Sequence, residues 1–370
     1  MADQTPPVDP EAAVETLEDG DDEARASLGE RLAVADPTER KRAIVAVREA
    51  LDDPGDAGPD AGETALAHGA GANLARFLRD DDRSVRLATA KLFVRVAATA
   101  PAAVDDAVPT LADRLADDGE FYYVRARCAE ALGYAAVERP GEVATPELLA
   151  DLRVGLAFDE PEVRRKLAKA LAAVAIGDPT RLAHQIASLA DHLDDEEPLV
   201  RYHLCTALVV VGCERPARLS AAADALAARL ADEEPYVRGR AAEALGLLAR
   251  ADEASRPTGD DPSPSVDLRA ALADALENAD ADDEAAAFLR TRVRFAEAAL
   301  DADGEERAGE ERGPEEGSAP DGVASVAAVR EHTDAVVEAM VTPEDGECPH
   351  CAAPLPDGEL PMCPHCGAPR

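Results

Sequence analysis

Apolar side chains return at helical spacing along most of the chain, and they do so in register with a recurring Val-Arg pair. The anchors are Val85-Arg86, Val124-Arg125, Val163-Arg164, Val200-Arg201 and Val237-Arg238. Three residues after each arginine stand Thr89, Cys128, Leu167, Leu204 and Ala241. Four after stand Ala90, Ala129, Ala168, Cys205 and Ala242, and seven after stand Phe93, Leu132, Leu171, Leu208 and Leu245. Offsets of three, four and seven line one face of an α-helix. Pro161, Pro198 and Pro235 lie three before their anchors, where a first helical turn tolerates a missing N–H. A second helical pattern precedes each loop, as in Val104, Val108, Leu111 and Leu115, or Leu182, Ile186, Leu189 and Leu193. Each unit is therefore predicted to be a helix A, a short acidic turn and a helix B carrying Val-Arg. Cys128 and Cys205 fall on the apolar face and are expected to be small buried side chains rather than reactive thiols.

Successive anchor arginines are 39, 39, 37 and 37 residues apart. A fixed period in this range predicts a stack of helical hairpins, an all-α solenoid, and not a single-core globule. Two degenerate copies flank the five. Asp36 to Leu51 places Arg40 on the anchor without the valine, and Thr291 to Leu300 places Arg292 there. The expected organisation is a disordered N-terminus (1–10), a repeat solenoid (11–301), an acidic disordered linker (302–322), a single helix (323–341) that either lies isolated or docks on the solenoid end, and a small cysteine module (346–370). The copy from Asp232 to Ala249, DEEPYVRGRAAEALGLLA, has Asp, Pro, Val-Arg and Ala-Leu-Gly in an order that resembles HEAT-repeat proteins, specifically the subgroup that includes lyase-like repeats acting on phycobilisome pigments. That resemblance implies an α-α superhelix of about seven hairpins, with helix B lining the concave side. It also implies that the anchor arginines Arg86, Arg125, Arg164, Arg201 and Arg238, with Asp80, Asp195 and Asp232, tie adjacent repeats together.

Charge changes this picture in one place. The chain of 370 residues has 76 acidic and 38 basic residues, a formal charge of -38, yet its 46% hydrophobic content excludes a disordered acidic protein. Its composition, rich in acids and with four lysines against 34 arginines, resembles that of extreme halophiles. All four lysines, Lys41, Lys91, Lys166 and Lys169, fall on B helices. Lys91, Arg127, Arg165, Lys166, Lys169, His203 and Arg240 would form a basic track on the solvent side of helix B, suited to an acidic segment of a partner protein or to a phosphate backbone. The other reading is ordinary solvated surface, since Arg127 and Glu130, Arg240 and Glu243, and Arg294 and Glu297 are i,i+3 pairs. Lys166 and Lys169 have no acid paired with them on that side of their own helix. Tyr123 and Tyr236, two before their anchors, could flank a groove or pack against the next loop.

Four of the seven cysteines lie in the last 23 residues, as Cys348-Pro-His-Cys351 and Cys363-Pro-His-Cys366. Two such knuckles resemble a zinc ribbon, in which four thiolates close a tetrahedral Zn²⁺ site and leave no position open for catalytic water. So short a tail cannot bury a core, and the metal would supply its folding energy. A redox motif is the rival reading, but it belongs to an α/β domain that this chain does not show.

No stretch of about 18 apolar residues is present, so no membrane span is expected, and the cysteine pattern fits a reducing, cytoplasmic setting. His68, His184, His192, His203 and His332 are scattered, and no phosphate loop, nucleophile motif or small-molecule site is evident. The leading expectation is a non-enzymatic adaptor, with the solenoid binding one protein and the ribbon a second. A nucleic-acid-associated factor is the alternative, and a lyase or DNA glycosylase of HEAT-like fold is the third.

Overall fold

The computed structural model describes residues 7–52, 61–251, 268–276, 284–306, 322–341 and 355, with side chains of the last long helix described to residue 301. Every element among them is helical. The helices divide into two compact units, residues 1–173 and 174–370.

The first unit contains α1 (Pro10–Asp19), α2 (Asp22–Val34), α3 (Pro37–Ala50), α4 (Ala61–Leu74), α5 (Arg83–Thr99), α6 (Val108–Ala116), α7 (Tyr122–Glu138), α8 (Pro140–Val143), α9 (Pro146–Val154) and most of α10 (Pro161–Gly177). The B helices are α3, α5, α7 and α10, and α3 packs on α5 and α5 on α7. Leu92, Phe93, Val96, Val124, Leu132 and Leu171 fill the interior. Within the predicted disordered N-terminus, Asp9 caps α1 through Glu11 N–H and Val8 is buried.

The second unit contains α11 (Ile186–Ala190), α12 (Pro198–Glu214), α13 (Ala223–Ala228), α14 (Pro235–Ala249), α15 (Leu268–Asp274), α16 (Glu284–Glu306) and α17 (Val326–Met340). Here the B helices are α12, α14 and α16, packed in that order. Helix α16 runs five residues beyond the predicted end of the solenoid. Helix α17, for which the sequence leaves docking and isolation both open, packs against α12.

B helices are long and continuous, whereas A segments are broken. Pro101, Pro179 and Pro216 follow directly on B helices and open 3₁₀ turns, Pro101–Ala107, Pro179–Leu182 and Pro216–Ala222, before α6, α11 and α13 begin. Proline fixes φ and offers no N–H, so the chain turns tightly there.

Close approach of neighbouring B helices depends on the glycine eight residues after the anchor. A Cβ on Gly133 would lie 2.9 Å from Ala170 Cα, and one on Gly246 2.9 Å from Ala296 Cα. This contact also sets the register of α16. Ala170 stands six after its anchor, so the equivalent anchor on α16 is Arg290, and Arg292 sits at the position two residues later. The predicted anchor lies two residues away from this one, because Arg290-Thr-Arg292 offers two arginines with the same local look.

Candidate partner-binding surface

The anchor arginines share one geometry. Arg86 Nη1 donates to the carbonyls of Asp80 and Asp81 (2.8 and 3.1 Å), and Arg201 Nη1 to those of Asp195 and Glu196 (2.7 and 3.1 Å). Arg164 holds Phe158 and Asp159, and Arg238 holds Asp232 and Glu233, in the same way. The rest of the guanidinium reaches the following turn. Arg40 meets Asp80 (2.9 Å), Arg86 grips Glu120 through two nitrogens (2.7 and 2.9 Å), Arg201 grips Asp232 likewise (2.8 and 2.9 Å), and Arg238 donates to Ala275 O (3.1 Å). Arg86, Arg201 and Arg238 thus close their own turns and fasten the next. The turn aspartates are shaped for this: Asp80, Asp195 and Asp232 each accept the N–H two residues on. Arg125 departs, bonding Leu115 O and Asp118 and stacking on Phe158, 4.1 Å from its centroid. Glu120, which the repeat pattern passes over, takes the place of the turn aspartate in its copy.

A second pattern occupies the helix face beside the anchors. Glu130, five after Arg125, pairs with Arg127 on its own helix (2.6 Å) and Lys166 on the next B helix (2.8 Å), with Lys169 at 3.8 Å. Glu243, five after Arg238, pairs with Arg240 (2.8 Å) and with Arg292 on the next B helix (3.0 Å). Arg292 and Lys166 hold equivalent positions, so the same triad is built twice. Burial would raise the Glu130 carboxyl, but Lys166, Arg127 and Lys169 outweigh it and hold the group well below the usual carboxylate range. Glu243 is lowered too: Arg240 and Arg292 overcome its burial. Desolvation lowers Lys166, opposed by Glu130.

These triads correct two sequence readings. Lys166 and Lys169 do have an acidic partner, Glu130, supplied by the neighbouring helix and therefore invisible along their own. The Arg240–Glu243 pair is buried, with side chains 1% and 0% exposed, and is not solvated surface. Phe288 of α16 lies 5.3 Å from the Arg240 guanidinium, and Tyr202 hydroxyl accepts from its Nη2 at 3.3 Å. His203 is buried as well. Neither His203 nor Arg240 is placed to meet a partner directly. Tyr123 and Tyr236 are also buried, the latter edge-on to Phe288 at 5.1 Å, so both pack rather than flank a groove.

The remaining basic residues gather in the first unit. Arg127, Arg165, Lys166 and Lys169 pair with Glu130 and Glu162, and all four cations are half-buried. Lys169 lies over the Tyr134 ring, 4.6 Å from its centroid, and donates to the Tyr134 hydroxyl at 2.8 Å. Lys91, half-buried on α5, is five after its own anchor.

Cys348, Cys351, Cys363 and Cys366 lie outside the described residues. Among the described residues no cluster of three or more metal-ligating side chains occurs, and no helix is long and apolar enough to cross a membrane. Cys128 and Cys205 are buried in the core, and burial pushes the Cys205 thiol up to about 12. They pack as small apolar groups.

No curated protein matches the chain. Residues 108–208 match the family described as HEAT repeats. Among solved structures, the chain is similar to an engineered protein at 19% identity and a TM-score of 0.55, over 90% of this chain and 88% of that one. It is also similar to a designed armadillo repeat protein (17% identity, TM-score 0.51, 61% of this chain and 98% of that one). A third is described as computationally designed armadillo repeat proteins for modular peptide recognition (18% identity, TM-score 0.51, 60% and 99%). The described residues therefore form an all-α helical-repeat fold, similar to that of designed armadillo repeat proteins, and residues 108–208 match the HEAT-repeat model.

Proposed function

We propose that this protein is a non-enzymatic adaptor whose first unit binds an acidic segment of a partner protein. The observation that carries this reading is the cationic group on α7 and α10. Arg127, Arg165, Lys166 and Lys169 lie together and half-buried there, on a chain whose overall charge is -38. Lys91 is half-buried at the same repeat position as Lys169, on α5, which packs against α7. Half-burial shields these charges from salt better than full exposure would, so they can attract a carboxylate where the bulk charge is screened. Tyr134, held against Lys169, offers an aromatic floor to the same site. Solved neighbours described as built for modular peptide recognition support the use of such a helical stack for binding an extended chain. The C-terminal cysteines are the second module. Their four thiolates at two Cys-x2-Cys spacings match the donor set of a structural Zn²⁺ ribbon, whose metal would organise the tail for a further contact.

The test uses the full chain and a fluorescein-labelled poly-glutamate peptide, titrated in about 1 M KCl, where the Debye length falls to about 3 Å. Lys166→Gln/Lys169→Gln should weaken binding by on the order of tenfold with the helical signal intact, and Lys166→Arg/Lys169→Arg should retain it. Equal binding by all three proteins removes the reading. Binding of a labelled single-stranded oligonucleotide in place of the peptide assigns the surface to a phosphate backbone. Metal analysis of the same preparations should find zinc, lost in Cys348→Ser/Cys363→Ser.

A further inference from the structure

Helix α17 and the four residues before it lie on the same kind of surface in the second unit. Glu243 occupies the position that Glu130 occupies in the first. In the first triad the Oε1 of Glu130 receives Lys166; in the second the Oε1 of Glu243 receives the backbone N–H of Ala324 at 2.7 Å. A chain segment from elsewhere in the sequence therefore docks on the triad. Glu243 is fully buried, and its Oε2 is held by Arg240 and Arg292. The carboxylate is thus fixed through one oxygen by two cations, and its other oxygen is turned to the segment.

The docked segment is shaped to the seat, by a left-handed turn and a row of small apolar side chains. Gly322 and Ala324 both have positive φ, +86° and +56°, and Ala324 is the one non-glycine residue in that region among the described residues. The left-handed turn aims the Ala324 N–H at Glu243, and alanine sits there at a cost that glycine would not bear. Ser325 then caps α17 through the Ala328 N–H. The helix buries Ala328, Val329, Thr333 and Val336, together with Val323 ahead of it, all small side chains. Its other face, Arg330, Glu331, Asp334 and Glu338, is exposed. The receiving helix is unusual in the opposite sense. Every residue of α12 from Leu199 to Gly212 is buried, as expected of a helix packed on all sides. Where α7 and α10 carry charge, α12 carries His203, Thr206, Val209 and Val210.

We propose that this B-helix face of the second unit is a receptor for a short amphipathic helix of a partner protein, and that Gly322–Met340 occupies it in cis as a competitor. A fitting partner has small apolar residues along one helical face, preceded by a left-handed residue that presents its N–H to Glu243. This site is separate from the acidic-peptide surface of the first unit, and either can fail without the other.

The test is made on the full chain. Ala324→Pro removes the N–H and forces φ to about −65°, whereas Ala324→Gly keeps the N–H and accepts the left-handed turn. Amide exchange in α17 should quicken by at least about tenfold in Ala324→Pro, and slow or hold in Ala324→Gly. Ala324→Pro should also gain binding of a labelled synthetic peptide of residues 322–341, which the unaltered chain binds more weakly. Val329→Asp, which puts a charge on the buried side of α17, should behave as Ala324→Pro does. Unchanged protection of α17 in both variants overturns the proposal, as does release of α17 with no gain of peptide binding. Protection that rises with protein concentration overturns the in-cis seat in favour of a second copy of the chain.

Discussion

Two glutamates, Glu130 and Glu243, carry more of the structure than their i,i+3 spacing suggests. Each is buried between a cation on its own helix and one on the next, so each holds two B helices together. Both carboxyls are lowered in the folded state from a reference of 4.5. A lowered carboxyl stabilises the fold fully above its unfolded pKa, and that contribution is lost as pH falls through the folded value. Acid should therefore begin to weaken the protein below about pH 4.5 and continue to weaken it as far as the folded carboxyls titrate. Glu243→Gln leaves Arg240 and Arg292 buried with one neutral partner, which should cost about 3 kcal/mol at neutral pH. It should also flatten the acid limb of a stability-versus-pH curve. An unaltered limb in both Glu243→Gln and Glu130→Gln would show that other carboxylates govern acid unfolding. The anchor arginines act on the same principle at the turns, with Arg201 and Asp232 nearly out of water.

At the scale of the helix, closeness of packing is set by glycine. Gly246→Ala would place a Cβ against Ala296 Cα and the Phe295 ring, whose edge would be 2.7 Å away. Backbone cannot yield as a flexible side chain does, so α14 and α16 must separate, at about 1–3 kcal/mol. Gly29→Ala on α2 is the contrast: its Cβ would meet only Asn73 O at 3.7 Å, and better helix propensity should leave stability unchanged or raised by up to about 1 kcal/mol. Chemical denaturation of both variants separates the two effects, and a Gly246→Ala protein as stable as its parent would refute the close-packing account. Spacing at three, four and seven residues made the B helices legible in the sequence, and Val-Arg marked where each begins. The A segments were less legible, because proline after a B helix converts part of an apolar helical pattern into 3₁₀ turns. The α16 register was misread because local sequence offers two arginines, while the choice is made by Gly246 and Glu243 on another helix. For the same reason Arg240 read as surface: its own helix shows a partner at i+3, but not the Phe288 ring that covers it. The uninterrupted apolar run of α12, Leu204 to Gly212 broken only by Thr206, was the available sign that something lies across that helix.

For the whole molecule the decisive quantity is its charge of -38. Ion pairs at the turns and triads join charges a few ångströms apart inside the protein, where mobile ions reach them poorly. Repulsion among the many surface acids acts over longer distances through water and is screened readily. The two contributions therefore separate on a salt axis. Raising KCl from about 0.1 M to 1 M shortens the Debye length from about 10 Å to 3 Å, which removes most of the surface repulsion and little of the buried attraction. Each melting transition should rise by several degrees over that range, since about 1 kcal/mol moves the Tm of a unit this size by roughly 2–4 °C. Glu130→Gln should lower the Tm at every salt concentration by nearly the same amount, because the interaction it removes is buried. Calorimetry of the two proteins across the salt series decides the matter. A Tm that falls with salt would mean that exposed ion pairs, not buried ones, hold the repeats together; a Glu130→Gln deficit that vanishes in 1 M KCl would mean that this triad is open to solvent.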